Sequence, residues 1–439
     1  MPTPSLPCSL ADLLITFAPC FTAPTFATFR AMVAGFLTQP GPHTVTGMLA
    51  GAGLAGRRHH DLAYRFFATA RWSADQLGLL LLDLICAVMV PADAPLDLAV
   101  DDTLWRRTGR KLHGAAWHHD TGGPGRHRPA WGHRWVVIGV ICHPPFLRRE
   151  ICLPILARLW QPGDPDRTPL ALARELVDLL VDHIGKRPVH LVGDAAYIGK
   201  PLRGLPAQVT VTARLRSNAA LYAPPPPRTS RRGRPPRKGD RLPELIMLAA
   251  MTRYQWTYVK LRCYGKTLDR EVLAIGCLWY GALKGQPVQV ILSRPIGSPD
   301  GYELALVTTD LAATPQRVIE RYADRWSAET MFLEARHLVG VGQARTRTKR
   351  SVQRLVPFGL VCMSLTICWY AHHGHPTADL AAHRARAPWY RHKQTVSVAD
   401  MLTALRRALV AAQYPQGHPD QHILDLFPAA LLSQLNPAA

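Results

Sequence analysis

Three carboxylates in this chain could act together: Asp101 or its neighbour Asp102, Asp194, and Glu329. The first two positions each follow a short apolar run, Leu96–Val100 and Pro188–Val192. Hard divalent cations such as Mg²⁺ take oxygen ligands and usually share them with phosphates. Two such ions about 3.5–4 Å apart can activate an attacking oxygen and stabilise a leaving one. Acids delivered from two strand ends and a following helix could build that clamp. Glu329 lies in the segment Tyr322-Ala323-Asp324-Arg325-Trp326-Ser327-Ala328-Glu329-Thr330-Met331-Phe332-Leu333-Glu334-Ala335-Arg336. At about 100° per residue, Tyr322, Arg325, Glu329 and Arg336 fall within roughly 60° of each other on a helix. An acid, two guanidiniums and a phenol on one stripe suit phosphate, because a guanidinium grips phosphate oxygens with a planar fork. Taken alone, the segment would equally be a solvated helix face with an Arg325–Glu329 pair. Met331, Ala335 and Leu338 lie on another face and can pack into a core, and Glu334 reads as ordinary surface.

The elements that must position these residues can be read on either side of them. Leu96–Val100 is a short strand that ends at Asp101-Asp102-Thr103, and Trp135–Cys142 and Glu150–Leu156 are two more. Leu170–Ile184 is amphipathic with helical spacing, and Pro188–Val192 is a buried strand ending at Gly193-Asp194. Three strands, a helix and a strand is the opening order of a ribonuclease-H-like α/β fold. Parallel pairing of its first and fourth strands would put Asp101 and Asp194 at neighbouring carboxyl ends, where open α/β sheets place their sites. Thr314-Pro315 starts the helix that carries Glu329, with Thr as N-cap and Pro at the first position. That helix is expected to run to about Val339 and stop near Gly340.

Around this core the chain divides further. Residues 1–95 read as a helical, DNA-binding N-terminal region. Within it, 43–60 fits a helix-turn-helix with Arg57 and Arg58 in its basic second element, or equally a plain helical bundle. The core's first part spans 96–205. Residues 206–300 read as a β-rich insertion with strands at Trp256–Cys263, Glu271–Trp279 and Val288–Ser293. The core resumes over 301–345, and 346–439 is a helical C-terminal region. Four prolines at 224–227 lead into a basic loop that carries Arg231, Arg232, Arg234, Arg237 and Lys238. Its six positive charges with no acid between Arg228 and Lys238 favour phosphate contact.

Composition agrees with a polyanionic partner. The 439 residues carry 52 Lys and Arg against 31 Asp and Glu, a net charge of +21, and such a surplus attracts nucleic acid or an anionic surface. The apolar runs Leu77–Val90 and Leu355–Tyr370 fall short of about 20 uninterrupted residues, so both are expected to be buried helices and no membrane partner is implied. The start of the chain lacks the basic segment of a signal peptide. Nine cysteines without any C-x-x-C spacing point to a reducing cytosol rather than a zinc knuckle or disulfide frame. His59-His60, His118-His119-Asp120 and His372-His373-x-His375 lack a second ligand set. Trp326 is expected to pack. Trp256 and Trp279 could either stack on an unpaired base or belong to a core. No P-loop or dinucleotide fingerprint occurs, so no nucleotide cofactor is implied.

The helix signature, Tyr322-x2-Arg325-x3-Glu329-x6-Arg336, resembles the Y-(2)-R-(3)-E-(6)-K motif of IS4-type insertion-sequence transposases. It is similar to the IS701-like group of DDE superfamily endonucleases among them. Arg336 departs from the motif's Lys. The likeness extends to Val100-Asp101-Asp102-Thr103, Gly193-Asp194, Arg214-Leu215-Arg216 and Gly233-Arg234-Pro235. It implies a ribonuclease-H-like core with a DDE triad of Asp101, Asp194 and Glu329, and the usual D-x-T pattern favours Asp101 over Asp102. It also implies two Mg²⁺ ions, with Mn²⁺ able to substitute, and Tyr322, Arg325 and Arg336 on the DNA. The implied activity is cut-and-paste transposition. The enzyme would cut double-stranded DNA at the element's terminal inverted repeats and join the freed 3′-hydroxyl to target DNA, acting as a homodimer in a bacterial cytoplasm. The competing readings are an inactive or domesticated DNA-binding relative and a different ribonuclease-H-like nuclease.

Overall fold

The strand β1 (Leu96–Arg106) carries the first of the candidate acids and pairs with both β3 and β5. The computed structural model describes residues 4–39, 41–120, 129–227, 236–298 and 301–413. Five helices precede β1: α1 (Cys8–Ile15), α2 (Ala23–Thr38), α3 (Val45–Gly51), α4 (Asp61–Ala68) and α5 (Ala74–Met89). Thr44 caps α3 by accepting the Gly47 N–H at 2.9 Å. The helix-turn-helix expectation needs correcting at its basic part. Two short helices do flank a turn, but Arg57, Arg58, His59 and His60 lie in the connection before α4 and not on a second helix.

After β1 come β2 (Ala116–His119), β3 (Pro129–Cys142), β4 (Ile151–Trp160), α6 (Pro169–Ile184), β5 (Val189–Gly193) and β6 (Val209–Arg214). β3 lies antiparallel to both β1 and β4, whereas β5 runs parallel to β1 and β6 parallel to β5. The spatial order β4-β3-β1-β5-β6 is therefore three antiparallel strands followed by two parallel ones, the ribonuclease-H-like arrangement. β1 is longer than expected and continues through the acids instead of ending before them. Its pairing with β3 persists to Arg106↔Gly132, while its pairing with β5 stops at Ala99↔Val192. A partner on one side alone keeps the polar residues 101–103 extended.

The same sheet runs on through the 206–300 stretch. α7 (Leu245–Ala250), β7 (Thr257–Cys263), β8 (Lys266–Leu278), α8 (Tyr280–Leu283), β9 (Pro287–Pro295) and β10 (Leu304–Thr308) follow in sequence. β10 inserts against β6, and β9, β8 and β7 extend the edge as antiparallel neighbours. Trp256 does not offer a free face: the Arg294 guanidinium lies 4.0 Å above its ring, and its indole N–H donates to the Ala249 carbonyl at 3.2 Å.

α9 (Pro315–Asp324) and α10 (Trp326–His337) replace the single helix expected over 315–339. Thr314 does cap the start, accepting the Arg317 N–H at 3.2 Å. The break falls at Arg325. The Ser327 hydroxyl donates to the Asp324 carbonyl at 2.6 Å, and the Ala328 N–H reaches the Arg325 carbonyl at 2.9 Å. That tightens one turn to three-residue bonding. α11 (Lys349–His373), α12 (Pro376–Arg386) and α13 (Val398–Gln413) complete the described chain. α11 is apolar and long enough to cross a membrane by composition, yet nearly all of it is buried against α5, β4 and α13.

A polar line crosses the core at His190, which is 1% exposed. Thr212 donates its hydroxyl proton to Thr308 at 2.9 Å and so must accept from His190 Nε2–H at 3.0 Å. His190 Nδ1 is then bare and accepts from the Thr210 hydroxyl at 2.7 Å. Burial holds this imidazole neutral, down to a pKa of about 3, and nearby Arg321 and Arg317 push the same way. The unfolded chain binds a proton near pH 6.5 that the native one refuses. Native stability must therefore fall as pH drops from about 6.5 towards 3, by up to about 1.4 kcal/mol per pH unit from this residue. Comparing urea midpoints at pH 7 and pH 5, His190→Gln should lose less than wild type. Equal losses would remove His190 from the acid sensitivity.

Candidate active site

Alternation along β1 decides which acid faces which layer, because successive side chains of a strand point to opposite faces. Asp97, Ala99 and Asp101 share one face, and Leu98, Val100 and Asp102 share the other. α9 and α10 cover the first of these. Arg317 and Arg321 of α9 bind Asp97 at 2.7 and 3.2 Å, and Arg325 binds Asp101 at 2.7 Å. Extending the β1–β5 register by two residues past Ala99↔Val192 sets Asp101 beside Asp194. Asp194 is half-buried just after β5, and its Oδ1 accepts the Ala196 N–H at 2.7 Å, which turns the chain sharply. That turn requires Gly193, since a Cβ there would stand 2.5 Å from the Tyr197 Cβ.

Glu329 enters from α10. Arg325 Nη2–H donates to its Oε1 at 3.1 Å while Nη1–H donates to Asp101 Oδ2. One guanidinium thus bridges two of the expected acids. Asp101 also accepts the Asp102 N–H at 2.8 Å. Burial raises its pKa to about 7, with Arg325 and the Asp102 N–H opposing and the Asp102 and Asp194 charges adding to the rise. A carboxylate so enclosed, with two others nearby, favours a cation in its vicinity.

Asp102 has a separate role. Its carboxylate forms an ion pair with Arg134 of β3 and accepts the Tyr197 hydroxyl at 2.8 Å. Because Tyr197 lies three residues past Asp194, this bond ties the turn after β5 to β1. Sequence reasoning missed both Tyr197 and Arg134. The spacing to Asp194 was the available signal for Tyr197, and none existed for Arg134.

The helix stripe is present in space. Arg325 lies 5.5 Å over the Tyr322 ring, so the half-buried Tyr322 supports the guanidinium from beneath. Arg336 donates to Thr103 Oγ1 at 3.0 Å and to the Leu104 carbonyl at 3.2 Å. Two expectations for other residues of α10 need correcting. Trp326 is 51% exposed and meets the Tyr264 ring edge-on at 6.4 Å. Glu334 is half-buried beside the 393–398 segment, and burial raises its pKa to about 7.

Asp101, Asp102, Asp194, Arg325, Glu329 and Arg336 line one groove of about 1780 Å³. Their oxygens are the donor type a hard divalent ion takes. Among the described residues, though, no three His, Cys, Asp or Glu side chains are already gathered as for an ion. Arg325 stands between Asp101 and Glu329 and would have to turn aside. Of the basic positions, Arg57 is exposed, whereas the Arg58 guanidinium is enclosed without a hydrogen-bond partner. Arg237 is exposed, and Lys238 sits 3.5 Å over the Tyr222 ring and 5.2 Å from the Tyr280 ring. Arg231, Arg232 and Arg234 lie outside the described residues.

The sheet order and the acid-lined groove define a ribonuclease-H-like class of protein. Residues 16–267, more than half of the chain, match the family described as DDE superfamily endonuclease. The chain belongs to that family. Solved structures similar to it include a piggyBac transposase synaptic complex with hairpin DNA, determined by cryo-electron microscopy. That likeness has a TM-score of 0.43 and 11% sequence identity, and covers 97% of this chain and 81% of that one. No curated protein matches the chain.

The Arg134–Asp102 pair is mostly buried, so removing the cation strands a carboxylate. Arg134→Ala should destabilise the protein by roughly 2–4 kcal/mol, and Arg134→Ala with Asp102→Asn should recover part of that loss. Denaturant titrations that placed the single variant within about 0.5 kcal/mol of wild type would contradict this role.

Proposed function

We propose that this protein is a transposase that cuts DNA at the ends of a mobile element and joins the freed ends to target DNA. The observation that carries the reading is the meeting of Asp101, Asp194 and Glu329 in one groove. They come from three elements far apart in the chain, and guanidiniums line the same groove. The helix signature supports membership of the IS4-type, IS701-like group.

In this account Asp101, Asp194 and Glu329 would hold two Mg²⁺ ions. When bound, such ions activate the attacking oxygen and stabilise the departing one. Asp101 is chosen over Asp102 because it meets Glu329 through Arg325, whereas Asp102 on the other face is tied to Arg134 and the Tyr197 hydroxyl. In the first step water attacks a backbone phosphorus. A P–O bond forms as the bond to the 3′-oxygen breaks, leaving a 3′-hydroxyl and a 5′-phosphate. In the second step that hydroxyl attacks a target phosphorus, with the target's own 3′-oxygen as leaving group. Arg336, held on β1 by Thr103 and Leu104, keeps further N–H donors for a phosphate oxygen. Arg325, released from Asp101 and Glu329, can follow the phosphate while Tyr322 limits its swing. The partners are double-stranded element ends and target DNA, bound by a homodimer.

The test is cleavage of DNA that carries the element's ends with its flanks. In Mg²⁺, wild type should cut at the boundary. Asp101→Asn, Asp194→Asn and Glu329→Gln should each lose at least about 100-fold in rate while still binding. Ca²⁺ should support binding without cutting, because its looser coordination misplaces the reacting oxygens. Undiminished cutting by Glu329→Gln, or robust cutting in Ca²⁺ alone, would overturn the assignment.

A further inference from the structure

The groove does not end at the acids. Beyond Arg336 the chain leaves α10 and crosses the end of β1 before entering α11, and this crossing segment, 340–348, forms part of the groove wall. We infer that Arg345 and Arg347 on this strap form a phosphate-binding site for duplex DNA a few base pairs from the acids. This rests on the proposed function and extends it to residues outside the helix signature.

Three anchors fix the strap. The Arg107 guanidinium donates to the Gly342 carbonyl. The His43 N–H donates to Gln343 Oε1 at 2.9 Å. The His113 N–H donates to the Arg347 carbonyl at 3.1 Å. Gly342 has a φ of +86°, and a Cβ there would come within 2.3 Å of the Trp105 ring, so the strap lies directly on β1. These contacts hold the backbone and leave the Arg345 and Arg347 side chains free of the anchoring.

Burial alternates along the strap: Ala344 is buried, Arg345 exposed, Thr346 intermediate and Arg347 exposed. Both arginines are open to solvent and line the groove. Two residues apart, their Cα atoms lie at most about 7 Å from each other. Neither forms a salt bridge among the described residues. Three other groove cations are paired with acids, whereas Arg107 and Arg336 donate to neutral acceptors. Arg106 is paired with Asp120, Arg134 with Asp102, and Arg325 with Asp101 and Glu329. Lys349 and Arg350 follow at once, both exposed, and no acid occurs in the sequence between Glu334 and Asp379. Two neighbouring like-charged side chains repel each other unless an anion lies between or across them. A DNA strand carries one negative charge about every 3.4 Å along the duplex axis, which supplies such anions in a row. Glu329 and Arg336 are seven helical residues apart, about 10 Å. The strap begins beyond that, so its contacts fall roughly three to five base pairs from the cut.

The experiment is fluorescence anisotropy of the full chain with a duplex carrying the cut site, across a series of salt concentrations and in Ca²⁺. Arg345→Gln with Arg347→Gln should weaken binding and flatten the log–log salt slope by about 2, since each lost phosphate contact removes about 0.9. Arg345→Lys with Arg347→Lys should keep the slope, because the charges remain. Thermal unfolding should be unchanged in both, since the anchors are made by the strap's backbone and by Gln343. An unchanged slope in the Gln variant, with wild type binding normally, would overturn the strap site and leave the proposed function standing. Absence of duplex binding by wild type would defeat both. Should the double variant unfold, Arg347→Gln alone with an expected slope change of about 1 decides the question.

Discussion

One side chain, Arg325, spans from β1, the central strand of β4-β3-β1-β5-β6, to the helix packed over it. Its two terminal nitrogens bind Asp101 on β1 and Glu329 on α10. Each of those carboxylates would repel the other if both were charged and nothing lay between them. The guanidinium offsets one of those two charges and lies between them, and the Tyr322 ring sits below it. The break between α9 and α10 falls at this residue. The helix is tightened by Ser327 where Arg325 must reach inward. The path of the helix and the closeness of Asp101 to Glu329 go with that bridge, and Arg325 works against the burial that raises the Asp101 pKa.

A second constraint acts from the other face of the same strand. Asp102 is bound by Arg134 and Tyr197, so two adjacent acids on β1 serve two layers. Tyr197 belongs to the turn that begins at Asp194. The bond from its hydroxyl to Asp102 therefore sets how far Asp194 can move from Asp101. Beyond the sheet end, the strap fixed to Trp105 and Arg107 continues the groove with positive charge. Acids at one end and unpaired arginines at the other give the groove a direction.

Much of this was legible in the residues. The order of β1, β3, β4, α6 and β5 followed from apolar runs of the right length, and the Thr314-Pro315 start followed from capping chemistry. The stripe of Tyr322, Arg325, Glu329 and Arg336 came from helical periodicity, and it survives the break because Arg325 keeps helical dihedrals, φ −52° and ψ −31°. What was misread depended on distant partners. From sequence, β1 is expected to end at Asp101 because the apolar run stops at Val100. Its continuation needs β3 alongside, more than thirty residues later. Glu334 was expected at the surface, but the 393–398 segment comes to lie beside it. Trp326 was expected to pack, yet that side of α10 leaves it half open. The basic residues at 57–60 were placed on a helix, although composition cannot tell a basic turn from a basic helix.

The central claim is that Asp101, Asp194 and Glu329 form a single site that accepts divalent cations once Arg325 turns aside. Titration of Mn²⁺ into the full chain, followed by the loss of the free-ion electron paramagnetic resonance signal, tests it most directly. The account predicts saturable binding by wild type that is sharply weakened, by about tenfold or more, in Asp101→Asn and in Asp194→Asn, and is left unchanged in Asp97→Asn. Identical Mn²⁺ binding by wild type and by both site variants would contradict it.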